Sequence, residues 1–540
     1  MNPQALLAFD TDKIKEYVFA TGVLRDIRGA SALLDDLNRR QMPQLVQEAV
    51  PGATTVYAHG GSGLFVVVSQ RAEAARLAVE RRYLEATESA SVTSVVSEMP
   101  GALTPAEDIH VFWRQLAYRL RAAKDRNPAV MELTSHALLR PCEACGLRYS
   151  TVRWSGPEGE QRLCGSCNRK RERDDRIRTE DIPRWLRERG SVAGNSDPLW
   201  QRLIASLRTT GYPLDVGLSR PEDFDTLAAA SRPEGYMGLI YADGDGIGRE
   251  LEQLRTLEQI GQFARAVDGA AYQSVVEAIA HHLHPVSSPS GPGRIFPFDV
   301  LLLGGDDVVL VTAADRALEV ALTLVESFSQ ETERRLGRSL RLSATVILAH
   351  ARYPFAALLK LAEGGLAFAK REAAARQRRG EQAQEGLINF LVVSSTNHLD
   401  FNTYVERVLR PRPPLSQEAL DRTLRPYTTT DFRRLLRAAR VLADGPRTRV
   451  QQLRQACFLD HMNGRIEALS ALLRWPESEG KREPLRLVAD FAHSAGGGEV
   501  QFPWFSSGQQ GQPPIWRTPI ADVAEIFDFV APQVSHAATP

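Results

Sequence analysis

The spacing of apolar and polar positions along this chain switches between two periods, and the switches mark its elements. From residue 236, Tyr236–Tyr241 is an apolar run that predicts a buried strand, and it leads into Asp243-Gly244-Asp245-Gly246. A helical pattern follows over Leu251–His282, then a loop rich in Pro and Ser over Pro285–Pro292. Asp299–Leu303 predicts a second strand, Gly304-Gly305-Asp306-Asp307 a tight turn, and Val308–Thr312 the returning strand. A helix over Asp315–Arg335 and a strand over Arg341–Ala349 complete the run. Strand, helix, strand, strand, helix, strand is the order of a ferredoxin-like unit.

The N-terminal region repeats this order. Ala5–Phe9 predicts a strand that ends in Asp10-Thr11-Asp12, and Ala30–Ala49 a helix. The strands Thr54–Ala58 and Leu64–Val68 flank the turn Gly60-Gly61-Ser62-Gly63; a helix over Arg71–Ala86 and a strand over Ser91–Ser97 follow. Aligning the Gly-Gly dipeptides sets Ser62-Gly63 against Asp306-Asp307, so one unit has carboxylates in its turn and the other has none. Between the copies, Pro141–Arg189 holds four cysteines and a strongly charged helical stretch. Beyond residue 396 the pattern is helical over Thr428–Leu442, Arg447–Leu472 and Pro519–Phe529, with a Gly-, Ser-, Pro- and Gln-rich loop over Ser494–Pro514. The expected fold class is α+β. Residues 1–135 form a degenerate palm and 136–230 a zinc-knuckle and helical domain. Residues 231–396 form a catalytic palm, and 397–540 a C-terminal helical domain.

Composition narrows the function classes. The 540 residues include 66 basic and 66 acidic ones, so the chain as a whole has no electrostatic footprint for long nucleic acid. Residues 401–460 hold 12 arginines against 6 acids, a run that reads first as solvated helix faces. No run approaches the roughly 18 apolar residues of a membrane span, and Met1–Asp10 reads as a first strand and not as a signal peptide, so a cytoplasmic location is expected.

The chemistry follows from the acids. Transfer of a nucleotidyl group needs two divalent cations, and Mg²⁺ or Mn²⁺ takes hard oxygen ligands. Asp243 at a strand end and Asp306 and Asp307 in the neighbouring hairpin supply them. Without cations such a cluster repels itself. Gly304 and Gly305 let the chain turn sharply and let a triphosphate approach. A plain surface turn and a dinucleotide loop at Gly244-x-Gly246-x-Gly248 are the competing readings. The loop's spacing is one residue short, and its two acids would repel a pyrophosphate. Lys370, on a helical stretch from Leu361, is in sequence terms either a solvated lysine or a phosphate ligand.

Cys142-x-x-Cys145 and Cys164-x-x-Cys167 are 18 residues apart, which suits two knuckles closing on one tetrahedral Zn²⁺. Four thiolates leave no open position, so this is a structural site. Cys457 lies in a helical pattern and reads as a core residue.

Taken together, Phe9–Asp12, Ile27–Ser31 with Leu33-Leu34, the four cysteines, Tyr241–Asp245, Gly304–Asp307 and Leu361–Lys370 carry a resemblance. The chain resembles the large palm-domain polymerase/cyclase subunit of type III CRISPR effector complexes, over nearly its whole length. The resemblance implies an enzyme that converts ATP into cyclic oligoadenylates when its complex binds target RNA, with ATP or another NTP as its expected ligand. Its expected partners are the other subunits of the complex and a guide RNA. By position, Asp243, Asp306 and Asp307 would hold the two catalytic metals and Lys370 would contact triphosphate. The first palm would hold the second nucleotide, with Ser31 near it. Many members carry an HD nuclease domain before the first palm; here that palm begins at residue 5, and no such domain is expected. A scaffold subunit with an idle palm, and a stand-alone synthase of another cyclic nucleotide, remain the alternatives.

Overall fold

The computed structural model describes residues 3–99, 108–126, 138–156, 159–179, 197–214, 218–289, 291–379, 385–394, 400–411, 419–496, 498–507 and 514–530. Parts of the charged stretch up to Arg189 and of the loop over 494–514 lie outside them.

The first sheet is built from β1 (Gln4–Thr11), β2 (Thr54–His59), β3 (Ser62–Val68) and β4 (Val92–Glu98), in the order β2-β3-β1-β4. A hairpin, β5 (Val152–Gly156) and β6 (Gly159–Leu163), follows. Three short strands, β7 (Leu218–Ser219), β9 (Val286–Ser287) and β10 (Arg294–Ile295), make a small sheet. The second large sheet contains β8 (Tyr236–Gly244), β11 (Phe298–Gly304), β12 (Asp307–Ala313) and β13 (Leu342–His350) in the order β11-β12-β8-β13. The two orders are the same with respect to the chain, which makes the sequence repeat a repeat of topology. The second sheet is then extended by β14 (Leu387–Val392), parallel to β13, and β16 (Tyr427–Thr428).

Alternation explains how the sheets stack. In β1, Leu7 and Phe9 face one side and Leu6 and Ala8 the other. In β8, Met237, Leu239 and Tyr241 join Leu7, Phe9 and Phe65 in one core shared by both sheets, while Ile240 and Ala242 face the opposite core with Phe263, Val267 and Phe328. The helix His110–Arg126 covers the outer face of the first sheet through Trp113 and Leu116.

Three helices begin or break where local chemistry requires it. The pattern from Leu251 to His282 predicts one helix. The structure has Ile247–Glu252 and then Leu257–His282, because Thr256 and Gln259 form a capping box that starts the second. The pattern over Ala30–Ala49 becomes Leu24–Asp36, a wider turn over Leu37–Gln41, and Met42–Ala49. The stretch Arg447–Leu472 divides into Arg447–Ala456 and His461–Leu473, the latter capped by Asp460 accepting from the Asn463 N–H at 3.0 Å. The C-terminal region is not wholly helical. Its helices enclose a four-stranded sheet, β15 (Ala419–Asp421), β19 (Ile515–Arg517), β18 (Trp504–Ser507) and β17 (Val500–Gln501), in that order. Each strand has four residues or fewer, too few for a period of two to register in the sequence.

Two seams are set by backbone and not by side chains. A Cβ on Gly29 would lie 1.9 Å from the Lys170 carbonyl oxygen, so the helix Leu24–Asp36 meets the helix Gly165–Thr179 with its backbone bare. A Cβ on Gly60 would lie 2.8 Å from the Gly305 nitrogen, and one on Gly304 would lie 3.0 Å from the Gly60 Cα. The two Gly-Gly hairpins therefore touch backbone to backbone, and Gly60 and Gly305 both have φ of +63°, a region that disfavours any Cβ.

Around the first seam lies a buried charge network. Arg28 donates to Asp299 at 2.8 and 2.9 Å, to Asp174 at 3.1 Å and to the Pro221 carbonyl at 2.7 Å, and Arg171 donates to Asp26 at 2.9 Å. Arg28 thus ties the first unit, the cysteine region and β11 together. Removing one partner of a buried pair strands the others without compensation. Arg28→Leu should lower stability by about 3–5 kcal/mol in equilibrium urea unfolding; a loss under 1 kcal/mol, the level of a surface pair, would show that the network does not hold these parts together.

Candidate active site

The strand register brings the predicted acids together. Val308 of β12 pairs with Ala242 of β8, and Ser343 of β13 pairs with Asp243. Asp307 therefore starts β12 beside the point where Asp243 ends β8, and Asp306 sits at the hairpin tip next to both. Burial, then the charges of Asp243 and Asp307, push the Asp306 carboxyl from an ordinary 3.8 to about 8. Asp307 is also raised, by burial and by Asp243, against the opposing pull of Lys15 and Lys370.

Two lysines face this cluster. Lys370, on the helix Phe355–Arg378, donates to Asp243 and to the Gly244 carbonyl at 2.8 Å. It is a partner of the site and not a solvated lysine. Lys15 comes from the first unit, on the short helix Ile14–Val18. Its Nζ lies 3.2 Å from Asp307 Oδ1 and 4.7 Å from the centre of the Tyr241 ring. Burial alone would pull Lys15 down, but Asp307 and Tyr241 outweigh it and hold it above the usual lysine range. Nothing in the periodicity around Lys15 signals this role, since it depends on how the two units face each other.

The hairpin is braced from behind. The Gly305 N–H donates to Asp268 at 3.1 Å, and Asp268 also pairs with Arg39 at 2.7 and 3.0 Å. Asp245 is not aimed at the cluster. It accepts from the Ser343 hydroxyl at 2.8 Å, and burial pushes it up to about 6. Asp12 is held the same way in the first unit, by Ser91 at 2.8 Å and Thr93 at 2.7 Å. Ser31 is buried in the helix Leu24–Asp36, and among the described residues no hydrogen bond ties it to the acids.

The first unit repeats the geometry without the acids. Lys124 pairs with Asp10 at 2.6 Å and donates to the Thr11 carbonyl at 3.4 Å, as Lys370 does with Asp243 and Gly244. The turn register corrects the sequence alignment by one residue. His59 pairs with Ser62 around a Gly60-Gly61 tip, whereas Gly304 pairs with Asp307 around a Gly305-Asp306 tip. Gly61-Ser62, and not Ser62-Gly63, stands where Asp306-Asp307 stands, and Ser62 is opposite Asp10. Matching Gly-Gly dipeptides aligned the letters, while the strand pairing aligns the tips.

This cluster fits divalent cations. Three carboxylates converge, burial and the other two push one of them toward its protonated form, and among the described residues Lys15 and Lys370 are the cations paired with the cluster. The cysteines fit a second kind of metal. The Sγ atoms of Cys142, Cys145, Cys164 and Cys167 lie within 4.8 Å of one another, and all four are free of disulfides. The Leu147 and Cys167 N–H groups donate to the Cys145 and Cys164 sulfurs, each at 3.4 Å, which are the bonds a thiolate in a knuckle accepts. Cys457 is buried, as a core cysteine is.

Residues 236–379 match the family model of the Cas10/Cmr2 second palm domain. No curated protein sequence matches the chain. Among solved structures, a Csm1–Csm4 cassette in complex with cA4 aligns with a TM-score of 0.53 at 13% identity, covering 97% of this chain and 69% of the other. Csm1–Csm4 cassettes in complex with pppApA and with pppApApA align at 0.51 and 0.50, with 13% and 12% identity, each covering 98% of this chain and 69% of the other. At these identities the likeness is one of fold, and it spans both large sheets. Among the described residues no helix is long and apolar enough to cross a membrane.

Two outcomes follow. Freshly purified protein should carry one zinc per chain, and Cys164→Ser should lose it and melt at a lower temperature, since a structural zinc contributes folding energy directly; zinc-free wild-type protein with unchanged melting would sink the assignment. The second concerns pH. A carboxyl raised from 3.8 to about 8 keeps a proton in the folded state that the unfolded chain releases, so its stabilisation is full at low pH and is lost as pH rises through 8. In the absence of divalent cations, Asp306→Asn should flatten the fall in melting temperature between about pH 4 and pH 8. An unchanged slope would mean that Asp306 is not the group that titrates.

Proposed function

We propose that this chain, with a second palm of the Cas10/Cmr2 kind at its centre, is a metal-dependent nucleotidyltransferase that joins ATP into cyclic oligoadenylate-type messengers. In this reading it works as the large subunit of a type III CRISPR effector, beside a Csm4-like partner, with guide and target RNA as its control. The observation that carries it is the convergence of Asp243, Asp306 and Asp307 within the segment that matches the second palm. Structures of the same fold in complex with cA4, pppApA and pppApApA support the substrate class.

Asp243, Asp306 and Asp307 would hold the catalytic Mg²⁺ or Mn²⁺ pair. Bound there, the cations supply the positive charge that eases loss of the 3′-hydroxyl proton and offsets the charge building on the α-phosphate and the departing pyrophosphate. The chain's own residues prepare the rest. Asp306 must give up its proton to act as a ligand, which makes cation uptake stronger as pH rises. Lys370 is tethered to the Gly244 carbonyl as well as to Asp243, so it stays at the site when the carboxylate turns to a cation, and its ammonium group is then available to a triphosphate. Lys15 brings a positive charge from the first palm to the same edge. The Gly304-Gly305 backbone carries no side chain that would block a nucleotide. The first palm, which has Gly61-Ser62 in place of the two acids, would hold the partner nucleotide by contacts that need no cation. The four cysteines would hold a structural Zn²⁺ with no part in the reaction.

Asp306→Ala with Asp307→Ala should lower pyrophosphate release from ATP by roughly a thousandfold or more while leaving circular dichroism and zinc content unchanged. Asp10→Ala should cost far less than Asp243→Ala. Near wild-type turnover in the double variant, or equal losses from the Asp10 and Asp243 changes, would overturn the division of roles between the palms.

A further inference from the structure

A cavity of about 760 Å³ lies away from the carboxylate cluster, between the last turns of the helix Phe355–Arg378 and the C-terminal module. Its size is that of a small-molecule site. Five arginines line it, Arg376, Arg379, Arg410, Arg425 and Arg517, against two acids, Glu372 and Asp431. They come from three places in the sequence: the palm helix, the segment around 410–425 and β19.

The arginines are not equivalent. Arg425 is buried and fully used. It donates to Asp522 Oδ1 at 2.8 and 3.0 Å, to Glu525, to the Phe390 carbonyl at 2.6 Å and to Thr423 at 3.2 Å. Asp522 in turn accepts from the Thr423 hydroxyl and the Leu424 N–H, both at 2.9 Å. This is what a guanidinium kept for structure looks like: every donor has an acceptor. Arg376 and Arg379 both reach Glu372, at 3.3 and 3.1 Å. Arg410 and Arg517 differ. The Nε of each is buried and, among the described residues, has no hydrogen-bond partner. Arg410 donates from Nη2 to the Arg425 carbonyl, and Arg517 Nε lies 3.6 Å from Asp421, too long for a hydrogen bond. Burial pulls the Arg410 guanidinium below its usual range against the opposing charge of Asp421, and the nearby Arg517 charge adds to the downward pull. Both side chains are partly exposed, Arg517 by 40%, but each keeps one buried Nε donor unanswered among the described residues, and such a donor is costly unless something arrives to accept from it.

We infer that this cavity binds the phosphate groups of a nucleotide-sized anion, with Arg410 and Arg517 as its principal ligands. Guanidinium groups pair phosphate oxygens through two parallel hydrogen bonds, which answers the unused Nε donors directly. The site is separate from the palm chemistry and does not depend on it.

The test uses the full wild-type chain without added divalent cation, where the carboxylate cluster repels anions, and inorganic pyrophosphate as the probe in isothermal titration. Binding near one site per chain is expected, with affinity reduced at least tenfold by Arg410→Gln with Arg517→Gln. The same double change removes two guanidinium groups whose buried Nε donors are unanswered among the described residues, so the melting temperature without ligand should hold or rise, while the upward shift caused by pyrophosphate should vanish. Should the double variant fold poorly, Arg517→Lys keeps the charge but loses the forked donor, and a several-fold weaker affinity is expected from it. Two further titrants separate the sources of the phosphate. ATP binding as tightly as pyrophosphate assigns the site to free nucleotides. A 5′-phosphorylated triadenylate that binds more tightly than ATP, and than its 5′-hydroxyl form, assigns it to strand ends. No pyrophosphate binding by the wild-type chain, or binding that both arginine variants leave unchanged, overturns the inference.

Discussion

The second palm is organised around a repulsion. Three carboxylates are brought to one point by strand register, and the fold must supply the charge to hold them there. It does so in three ways. Asp306 keeps a proton, Lys370 reaches in from the helix behind the sheet, and Lys15 reaches across from the other unit. The last of these makes the palms interdependent. The site that lies wholly on β8 and the β11–β12 hairpin in sequence terms is completed, in charge terms, by a residue more than two hundred positions earlier. The shared core of Leu7, Phe9, Phe65, Leu239 and Tyr241 keeps that residue in range.

The structural duplication runs deeper than the sequence repeat suggests. Each unit ends its first strand in an aspartate, answers it with a lysine from the helix after its fourth strand, and turns a second aspartate two residues on toward a hydroxyl of that fourth strand. What separates the units is confined to the hairpin tips. Gly61-Ser62 and Asp306-Asp307 sit on equivalent backbone, so the difference between them is one of donors and acceptors and not of shape.

Much of this was legible beforehand because it rests on local rules. The apolar run before Asp243, the Gly-Gly turn and the return strand are short-range signals, and the four cysteines announce their grouping by spacing alone. What was not legible depends on contacts between distant segments. Lys124 and Lys15 sit on polar helical stretches like many others, and only the packing of two sheets gives them partners. Asp268 lies in the middle of a helix whose pattern reads as core and surface, with no hint that it braces a turn. The one-residue slip at Gly61-Ser62 arose because identical letters were matched where equivalent hydrogen bonds should have been. The small C-terminal sheet escaped because its strands are too short to show a period.

The bare seam between Gly60 and Gly305 has a consequence for how this protein can vary. At a packed leucine the cost of change grows by the methylene, and neighbouring residues can drift along that slope together. Here the first carbon is already too much, since it would fall 2.8 Å from a backbone nitrogen at a positive φ. Tolerance at this seam is a step and not a gradient. Side-chain substitution, however extensive elsewhere, has nothing to explore there. The orientation of one palm against the other can shift only through changes in turn length or backbone path, which arrive as insertions and deletions. Lineages of such a protein would then differ in discrete hairpin geometries, with few intermediates between them.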